Sequence, residues 1–599
     1  MANFVAVDGE GWTEDASNTH HYFMIASSLG NHALNVEGLS THDVFRFLIE
    51  TKKAAGKRGV LVGFAINYDI NMWLRDVAKP NLVELWKTNR TEWRCFKLQW
   101  LPGKFFQVHD MRYGVTARVY DTFGFFQCSF ARALDGWRIP HPEFLVNMKA
   151  SRSDFTPERI QEILDYCHLE CDLLVRLMTA LKASLDSVNL PVRQWNGAGA
   201  IAASLLARHR VDTYIQPDES YGDVFPHIMA AYYGGRSELF QQGEFPRLYG
   251  YDIRSAYPAA CLTLPSLVGA RFIRDDSITP DRERISLHHV KWSVDLDAYI
   301  MPFPYRHKRV IYYPAQGEGY YWSCEVAAAQ AIHGAGIKVL ESWRLDGPHL
   351  EERPLSFVAP IYEERARLKR EGHFGHQSYK LAINALYGKL AQGVGFDGKP
   401  PRFRTYVWAG WITAYTRARM MELTTPDVVA IATDGIYFTK DPGYECGGGL
   451  GELEAGYIDN AFIAQPGIYT GTTDGGVVIK SRGVYKAEVD FEDLRRGYRD
   501  EGPYYFTERE GTRFVGLGTV LTLRNFRTWR KWEERTRKIS LWPNRKYVAD
   551  DEARPTRHAP PLVIANGPSE PYDPKRSGVD APGMVDFIQA LEQPMNVDH

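Results

Sequence analysis

The stretch "AIATDGIYFTK", residues 430–440, places one carboxylate, Asp434, between two short runs of apolar and β-branched residues. Because Asp-Gly is a frequent turn between such runs, the segment is predicted to form a β-hairpin. A buried and unpaired acid would cost free energy, so Asp434 is either a turn residue beside Gly435 or a functional group. Two residues earlier, Ala432 offers no second carboxylate.

The composition predicts an ordinary globular protein of several domains. The chain has 599 residues, 44% hydrophobic and 24% charged, with a net charge of −2 that neither favours nor excludes nucleic acid. No run of about 18 uncharged apolar residues occurs, so we expect no membrane contact. The start, "MANFVAVDGEGW", lacks a basic region followed by an apolar one, and a cytoplasmic location is expected.

The seven cysteines are scattered, odd in number and without a CxxC pair. This spacing argues against a disulfide framework or a zinc site and fits a reducing compartment. Cys167 and Cys171 lie four residues apart, on one face of a predicted helix, where we expect simple packing.

Sequence periodicity predicts three regions. The N-terminal third alternates strands and helices, including a long amphipathic helix at 156–185 with Thr156 as its N-cap, which indicates an α/β domain of roughly 190 residues. In the middle, "YGYDIRSAYPAA" is a strand that breaks at Pro258, and residues 361–392 form two helices split by Gly372 and Gly375. The last 50 or so residues, rich in Pro and charge, are predicted to be an extended or partly disordered tail.

A basic stretch between Arg524 and Lys546 contains nine Lys or Arg residues, with Trp529, Trp532 and Trp542 among them. Cations for phosphates and aromatic rings for base stacking are typical of a nucleic-acid groove. A solvated amphipathic helix explains the same pattern equally well.

A first group of acids comes from three predicted elements. Asp8 and Glu10 lie on one side of a strand end, Asp69 follows an apolar strand, and Glu170 and Asp172 lie on the long helix. Brought together, such carboxylates repel each other unless cations neutralise them, and all-oxygen ligands suit Mg²⁺ or Mn²⁺. Two ions about 4 Å apart could activate water at a phosphodiester.

The order DxE, then NYD, then Yx₃(D/E) resembles the three motifs of the 3′→5′ proofreading exonuclease of family B DNA polymerases. The resemblance implies that Tyr166 orients the attacking water, that Asn67 and Tyr68 contact the single-stranded 3′ end, and that four acids bind the metal ions: Asp8, Glu10, Asp69 and Glu170. Two departures stand out. Asn67 is closer to Asp69 than in the family pattern, and Glu170 replaces an Asp. Asp172 would lie about 200° further round the helix, so Glu170 is expected.

A second group is formed by DxxSxYP at Asp252, Kx₃NxxYG at Lys380 and TDG at Asp434. The spacing of Lys380, Asn384 and Tyr387 predicts one shared helical face. This order resembles motifs A, B and C of family B DNA polymerases, and "YYGG", residues 232–235, resembles the element that links their exonuclease and polymerase domains. The motifs extend over about residues 5–485, most of the chain.

The resemblance implies a role for each of these positions. Asp252 and Asp434, with the backbone at Ile253, would bind two Mg²⁺ (or Mn²⁺) ions, as in the exonuclease site. The triphosphate would be neutralised by Lys380 together with one cation of the preceding helix: Arg365, Arg367, Lys369 or Arg370. Of these four, Arg367 is included in the predicted set of nucleotide contacts. Tyr257 would exclude a 2′-OH. The remaining predicted contacts are Asn384 and Tyr387 with the nascent base pair, Tyr232, Gly234 and Gly235 with the template, and Tyr485 with the primer end, where Gly483 replaces the usual Lys.

The implied fold is α/β and α+β multidomain, with an RNase H-like 3′–5′ exonuclease domain followed by a right-hand polymerase of palm, fingers and thumb. The expected boundaries are 1–190 for the exonuclease, 191–258 for the linker and first palm part, 259–357 for a palm insertion resembling a terminal protein region, 358–400 for the fingers, 401–480 for the second palm part, 481–546 for the thumb and 547–599 for the tail.

Length and motif spacing resemble the protein-primed subgroup of phages and linear plasmids. The expected partners are template and primer DNA, dNTPs, a terminal protein and a single-stranded DNA-binding protein, in the cytoplasm of a bacterial host. The second insertion of this subgroup is predicted to be a stub near 393–405, which implies poor strand displacement. The alternatives are a primer-independent or repair-type family B polymerase, and a non-catalytic DNA-binding replication factor, which the missing acid at Ala432 favours.

Overall fold

The computed structural model describes the chain in eleven segments: 3–14, 19–150, 155–295, 298–307, 310–393, 400–465, 467–481, 489–502, 505–523, 525–541 and 569–572. Within these segments no helix is both long enough and apolar enough to cross a membrane.

The strands are numbered along the chain as follows: β1 (Asn3–Glu14), β2 (Thr19–Ser27), β3 (His32–Leu34), β4 (Gly59–Gly63), β5 (Arg90–Trp93), β6 (Phe96–Leu101), β7 (Phe105–Asp110), β8 (Val115–Asp121), β9 (Ser237–Leu239), β10 (Gly243–Ile253), β11 (Arg271–Arg274), β12 (Ser286–Val294), β13 (Tyr305–His307), β14 (Val310–Tyr312), β15 (Gln316–Trp322), β16 (Ala335–Asp346), β17 (Val428–Ala432), β18 (Gly435–Phe438), β19 (Leu453–Gln465), β20 (Ile468–Thr473), β21 (Gly476–Ser481), β22 (Phe506–Phe514) and β23 (Trp532–Ser540).

The α-helices are α1 (Thr41–Ala55), α2 (Asn67–Trp73), α3 (Lys79–Thr88), α4 (Phe123–Phe126), α5 (Phe130–Gly136), α6 (Glu143–Ala150), α7 (Ile160–Ser187), α8 (Ala198–Arg208), α9 (Phe225–Ala230), α10 (Ala256–Cys261), α11 (Ser323–Gln330), α12 (Val358–Arg370), α13 (Gly375–Asn384), α14 (Leu386–Leu390), α15 (Tyr406–Glu422), α16 (Phe491–Glu501) and α17 (Leu517–Leu523).

An eight-stranded sheet carries the N-terminal region, in the order β3-β2-β1-β4-β8-β7-β6-β5. Strand β4 runs parallel to both β1 and β8. The first half of β1 is central and its apolar residues are buried on both faces, as expected of parallel pairing. Helix α7 crosses this strand, and the thiols of Cys167 and Cys171 lie against the carbonyls of Asp8 and Ala26, so both cysteines pack as predicted.

The long helix predicted from Thr156 begins later. Thr156 precedes a 3₁₀ turn at Pro157–Arg159, and the α-helix itself starts at Ile160. Because α7 then runs for 28 residues, it reaches from the first sheet to the start of α13, where Ser184 donates to the carbonyl of Phe374 at 2.8 Å.

A seven-stranded sheet in the order β21-β20-β19-β10-β18-β17-β9 follows. The hairpin predicted at 430–440 is confirmed as β17 and β18, with Ala432 opposite Gly435. Its turn residues are Thr433 and Asp434, so Gly435 begins the second strand rather than closing the turn. A Cβ on Gly435 would lie 3.1 Å from an Asp252 carboxylate oxygen, which explains the glycine at this close approach.

Between the two halves of this sheet, residues 271–346 build a separate four-stranded sheet in the order β11-β16-β12-β15. The two helices predicted in 361–392 are confirmed as α12 and α13, which a left-handed Gly372 separates. The second of them breaks again at Ala385, and Tyr387 therefore lies on α14 rather than on the helix that carries Lys380 and Asn384.

In the C-terminal region, β22 pairs with β23 along its whole length. The amphipathic-helix interpretation of the basic stretch is wrong for the described residues, because Trp532–Ser540 is a strand.

Part of the predicted stub at 393–405, namely residues 394–399, lies outside the described residues, as does most of the predicted tail. All seven cysteines are free thiols.

Candidate active sites

Three carboxylates meet where β1 and α7 cross. Asp8 and Glu10 come from the strand and Glu170 from the helix, and one oxygen atom of each lies within 4.8 Å of the others. Glu10 and Glu170 are buried, and Asp8 is half-buried. Asp172 is exposed on the far side of α7, so the helix brings Glu170 and not Asp172 to this group.

Asp69 adds a fourth acid from the start of α2. The hydroxyl of Tyr22 donates to the Asp69 carboxylate at 2.8 Å and accepts from the indole N–H of Trp73 at 3.0 Å. These hydrogen bonds fix the position of the carboxylate. The pKa of Asp8 is raised well above its ordinary range by burial first, and then by the negative charges of Glu170, Glu10 and Asp69. An all-carboxylate, mutually repelling donor set of this kind fits Mg²⁺ or Mn²⁺.

The other residues predicted for this site occupy different environments. Tyr166 is fully buried, with its ring 6.5 Å from Phe144 and 6.2 Å from Phe155. Asn67 and Tyr68 are half-buried in the first turn of α2, and the Tyr68 hydroxyl shares a hydrogen bond of 2.5 Å with the imidazole of His20.

The second carboxylate group lies at the end of β10. Asp252 is opposite Gly435 of the hairpin, and the amide of Ile253 donates to the carbonyl of Asp434 at 2.9 Å, which ties the strand end to the turn. The pKa of Asp252 is raised to about 6 by loss of hydration and by the charges of Asp434 and Glu454. The pKa of Asp434 is also raised by burial. The shift of Asp252 indicates acids crowded together, the arrangement that a divalent cation relieves.

Glu454 is a member of this group that sequence reasoning missed. On β19 it lies directly opposite Asp252, and Arg254 approaches its carboxylate at 3.1 Å. No sequence signal could have found it, because only the register of β19 against β10 brings the two acids together.

Ala432 lies at the end of β17, exposed, between Ser237 and Gly435. The strand itself is packed, since β17 buries Val428, Val429 and Ile431 before it ends at Ala432.

The helices α12 and α13 carry the predicted cations. Lys380 and Asn384 are exposed on α13, whereas Tyr387 is buried, so the predicted single face of three residues is wrong because the helix breaks at Ala385. The Arg367 guanidinium donates to Glu364 and Glu371 at 2.6–2.8 Å, so its charge is already neutralised within the helix.

Arg365, Lys369 and Lys380 form a second group of cations, near His376. Burial lowers the pKa of His376, and the positive charges of these three residues lower it further. A cationic group with a single histidine among it provides the charge that an anionic ligand requires.

Tyrosines connect the predicted nucleotide contacts to the interior. The ring of Tyr257 lies 4.7 Å from that of Tyr387, and the hydroxyls of Tyr387 and Tyr232 share a hydrogen bond of 2.8 Å. Tyr232 is only 1% exposed, so its side chain is part of the core and does not reach a template groove. A Cβ on Gly235 would lie 2.8 Å from the Tyr257 oxygen and 2.6 Å from Thr433, so this glycine permits a close approach to the hairpin.

Gly234 completes the YYGG element: its carbonyl, like that of Tyr233, accepts from the buried Arg417.

The predicted primer contact, Tyr485, and its neighbour Gly483 lie outside the described residues, as does Trp542. Trp529 donates its indole N–H to Asn71 at 3.2 Å, and the ring of Trp532 lies 5.5 Å from that of Phe514. Both tryptophans are half-buried and pack against neighbouring side chains.

In fold, the chain matches solved structures in which an exonuclease domain is followed by a palm, fingers and thumb. The family described as "DNA polymerase type B, organellar and viral" matches residues 146–396. The phi29 DNA polymerase complexed with primer-template DNA and incoming nucleotide substrates superimposes with a TM-score of 0.58 at 13% identity, over 90% of this chain and 100% of that one. Its complex with primer-template DNA gives 0.60 at 12% identity, with the same coverage.

Two curated relatives are also similar. The DNA polymerase of Acidianus bottle-shaped virus (isolate Italy/Pozzuoli) is 22% identical over 342 residues, 55% of this chain and 50% of the relative. The primer-independent DNA polymerase PolB of Escherichia coli is 28% identical over 270 residues, 38% of this chain and 29% of the relative. This chain thus spans half the length of the first and under a third of the second. The predicted resemblance to family B DNA polymerases, with the fold of the phi29 enzyme, is confirmed.

Proposed function

We propose that the protein is a DNA-directed DNA polymerase with a 3′–5′ exonuclease. The observation that carries the polymerase proposal is the convergence of Asp252, Asp434 and Glu454 at the end of β10. Asp252, Asp434 and the Ile253 carbonyl would hold two divalent ions, which lower the pKa of a primer 3′-hydroxyl and neutralise the triphosphate when bound. Attack of the 3′-oxygen on the α-phosphorus then releases pyrophosphate.

The chain's own residues would position the substrates. Lys380, with Arg365 or Lys369, neutralises the triphosphate from the fingers. Tyr257 lies beneath the sugar and excludes a 2′-hydroxyl, so deoxynucleotides are the expected substrates. Asn384 contacts the nascent pair, and Gly234 and Gly235 let the YYGG backbone approach the template.

The exonuclease proposal depends on the group Asp8, Glu10, Asp69 and Glu170. These acids would hold the ions that activate water at the terminal phosphodiester, while Asn67 and Tyr68 contact the unpaired 3′ end. Tyr166, one turn before Glu170 on α7, would orient the attacking water.

Primer extension tests the polymerase proposal. With a primed template, dNTPs and Mg²⁺, Asp252→Asn should reduce the rate by about 10²–10⁴-fold, because loss of a metal ligand removes several kcal/mol of transition-state stabilisation. Asp500→Asn, exposed on α16, is the matched control and should extend like the wild type. A wild-type protein that extends no primer, or an Asp252→Asn variant that extends normally, would contradict the proposal.

For initiation we propose protein priming with a terminal protein, supported by the separate sheet of residues 271–346 in the predicted palm insertion. The similarity to the primer-independent enzyme of Escherichia coli favours a second candidate, initiation without a primer. An unprimed single-stranded template with dNTPs and Mg²⁺ separates the two. Product made by the purified protein alone supports primer-independent initiation, whereas product that appears only after addition of a terminal protein supports the first proposal. We further propose replication of a viral or mobile-element genome in the host cytoplasm, assisted by a single-stranded DNA-binding protein.

A further inference from the structure

A short C-terminal segment, residues 569–572, lies against α9, β13 and β15. The amide of Ser569 donates to the carbonyl of Glu318 at 3.0 Å, that of Glu570 to Arg306 at 3.1 Å and that of Tyr572 to Met229 at 3.0 Å. The side chains of Ser569 and Tyr572 are buried, whereas that of Glu570 is exposed. Three backbone hydrogen bonds and two buried side chains in four residues indicate that this segment packs at a specific position.

The segment holds both tyrosines of the YYGG element. The Ser569 hydroxyl accepts from the amide of Arg306 at 2.9 Å and shares a hydrogen bond with the hydroxyl of Tyr233. The ring of Tyr572 lies 4.8 Å from that of Tyr232 in an edge-to-face arrangement. Arg306 joins the two contacts, since its guanidinium donates to the carbonyl of Tyr232 at 2.7 Å and to that of Glu570 at 3.3 Å.

A continuous row of rings leads from this segment to the nucleotide site. Tyr572 contacts Tyr232, the hydroxyl of Tyr232 is bonded to that of Tyr387, and the ring of Tyr387 lies 4.7 Å from Tyr257. On its other side, the Tyr257 hydroxyl is confined by Gly235. Close-packed interiors transmit displacement, so the position of Tyr257 depends on the whole row.

We propose that residues 569–572 are a positioning element of the nucleotide site and that Tyr572 fixes the sugar-contacting ring of Tyr257 through Tyr232 and Tyr387. The inference rests on the proposed polymerase function. Because Tyr572 reaches Tyr257 through two intervening tyrosines, it acts on nucleotide binding and on the choice between deoxy- and ribonucleotides, not on the chemical step.

Steady-state single-nucleotide incorporation with dNTP and rNTP tests the proposal in the full-length protein. Tyr572→Ala should raise KM for the dNTP and reduce the deoxy-to-ribo preference by about 2- to 30-fold, the range for substitutions along coupled side chains, with kcat close to wild type. Tyr572→Phe, which keeps the ring, and Glu570→Ala, on the same segment but exposed, should behave like wild type.

A Tyr572→Ala variant with wild-type KM and preference, or one that loses only kcat, would overturn the proposal. If Tyr572→Ala does not fold, Tyr572→Leu decides, because it fills the volume without an aromatic plane: lowered preference supports the proposal and unchanged preference overturns it. A wild-type protein without extension would instead refute the polymerase function itself, so the two failures are distinguishable.

Discussion

Asp434 lies in a two-residue turn that brings it beside Asp252, 182 positions earlier in the chain. Thr433, its turn partner, has a φ of 65°, which is rare for a β-branched residue, and its amide donates to the carbonyl of Arg236 at 2.6 Å. Arg236 lies between the YYGG element and β9, so this hydrogen bond stabilises the strained backbone of Thr433. The single acid of this turn is positioned by backbone contacts rather than by a second carboxylate.

Ala432 tests whether that second carboxylate matters. Its side chain is exposed at the end of β17, so Ala432→Asp should be accommodated without a change in fold. Since Asp252, Asp434 and Glu454 already supply three acids, we expect the substitution to change the extension rate or the preference for Mg²⁺ over Mn²⁺ by no more than about tenfold. Rates in each metal measure this. A change from no activity to full activity would show that the present acids are insufficient.

Most positions at the residue scale could be predicted because the motifs combine rare residue types at fixed spacing. Glu454 and Asn71 could not be predicted, because strand register and domain contact place them where they are. Arg367 was predicted on charge alone, and the structure pairs it with two glutamates that the helical spacing of three and four residues already offered.

At the scale of elements, the buried side chain of Asn71 on α2 joins α17 to the exonuclease-type domain. The Asn71 side-chain oxygen accepts from the amide of Leu517 at 2.7 Å and from the indole of Trp529 at 3.2 Å. Asn71→Ala would leave the buried Leu517 amide and the half-buried Trp529 indole without this acceptor, at a cost of about 1–3 kcal/mol for the buried amide.

We therefore expect amide exchange in α17 to accelerate in Asn71→Ala, measured by hydrogen exchange. Thr522→Ala, exposed on the same helix, is the control and should change stability by less than about 0.5 kcal/mol. Wild-type protection of α17 in Asn71→Ala would mean that the contact contributes little.

The four-stranded sheet contains a buried histidine. His288 shares hydrogen bonds of 2.9 Å with the hydroxyls of Ser286 and Ser342, and burial lowers its pKa to about 4, which nearby Asp281 opposes. Between pH 6.5 and 4 the unfolded chain binds a proton that the folded protein does not, so stability falls as pH falls, by at most about 1.4 kcal/mol per pH unit.

Urea unfolding between pH 7 and 4.5 measures this dependence. Relative to wild type, His288→Asn should flatten the fall in stability on acidification, because asparagine does not titrate. Parallel curves for the two proteins would indicate that His288 is protonated equally in both states.

Elements were predictable where periodicity was strong, as in α7, α12 and the hairpin of β17 and β18. The break at Ala385 was not, because no Gly or Pro marks it, and the strand β23 was not, because alternating charge and tryptophan fit a helix as well as a strand. In β23 the pairing with β22 decides the conformation.

At the scale of the whole molecule, the connection between α14 and α15 is short. Residues 391–405 join them, and a connection of 15 residues folded back on itself reaches at most about 25 Å. We expect the protein to stall at a downstream duplex because so short a segment cannot encircle DNA. Extension through a blocking oligonucleotide, compared with the same template without one, measures this. Unaided displacement over kilobases would contradict the prediction.

The central claim is that one chain carries two separate metal-dependent sites, and one pair of variants tests it most directly. Primer extension and degradation of a single-stranded oligonucleotide are measured with Mg²⁺ for wild type, Asp434→Ala and Asp69→Ala. We predict that Asp434→Ala loses extension and keeps degradation, and that Asp69→Ala loses degradation and keeps extension. Wild-type extension by Asp434→Ala, or wild-type degradation by Asp69→Ala, would contradict the account.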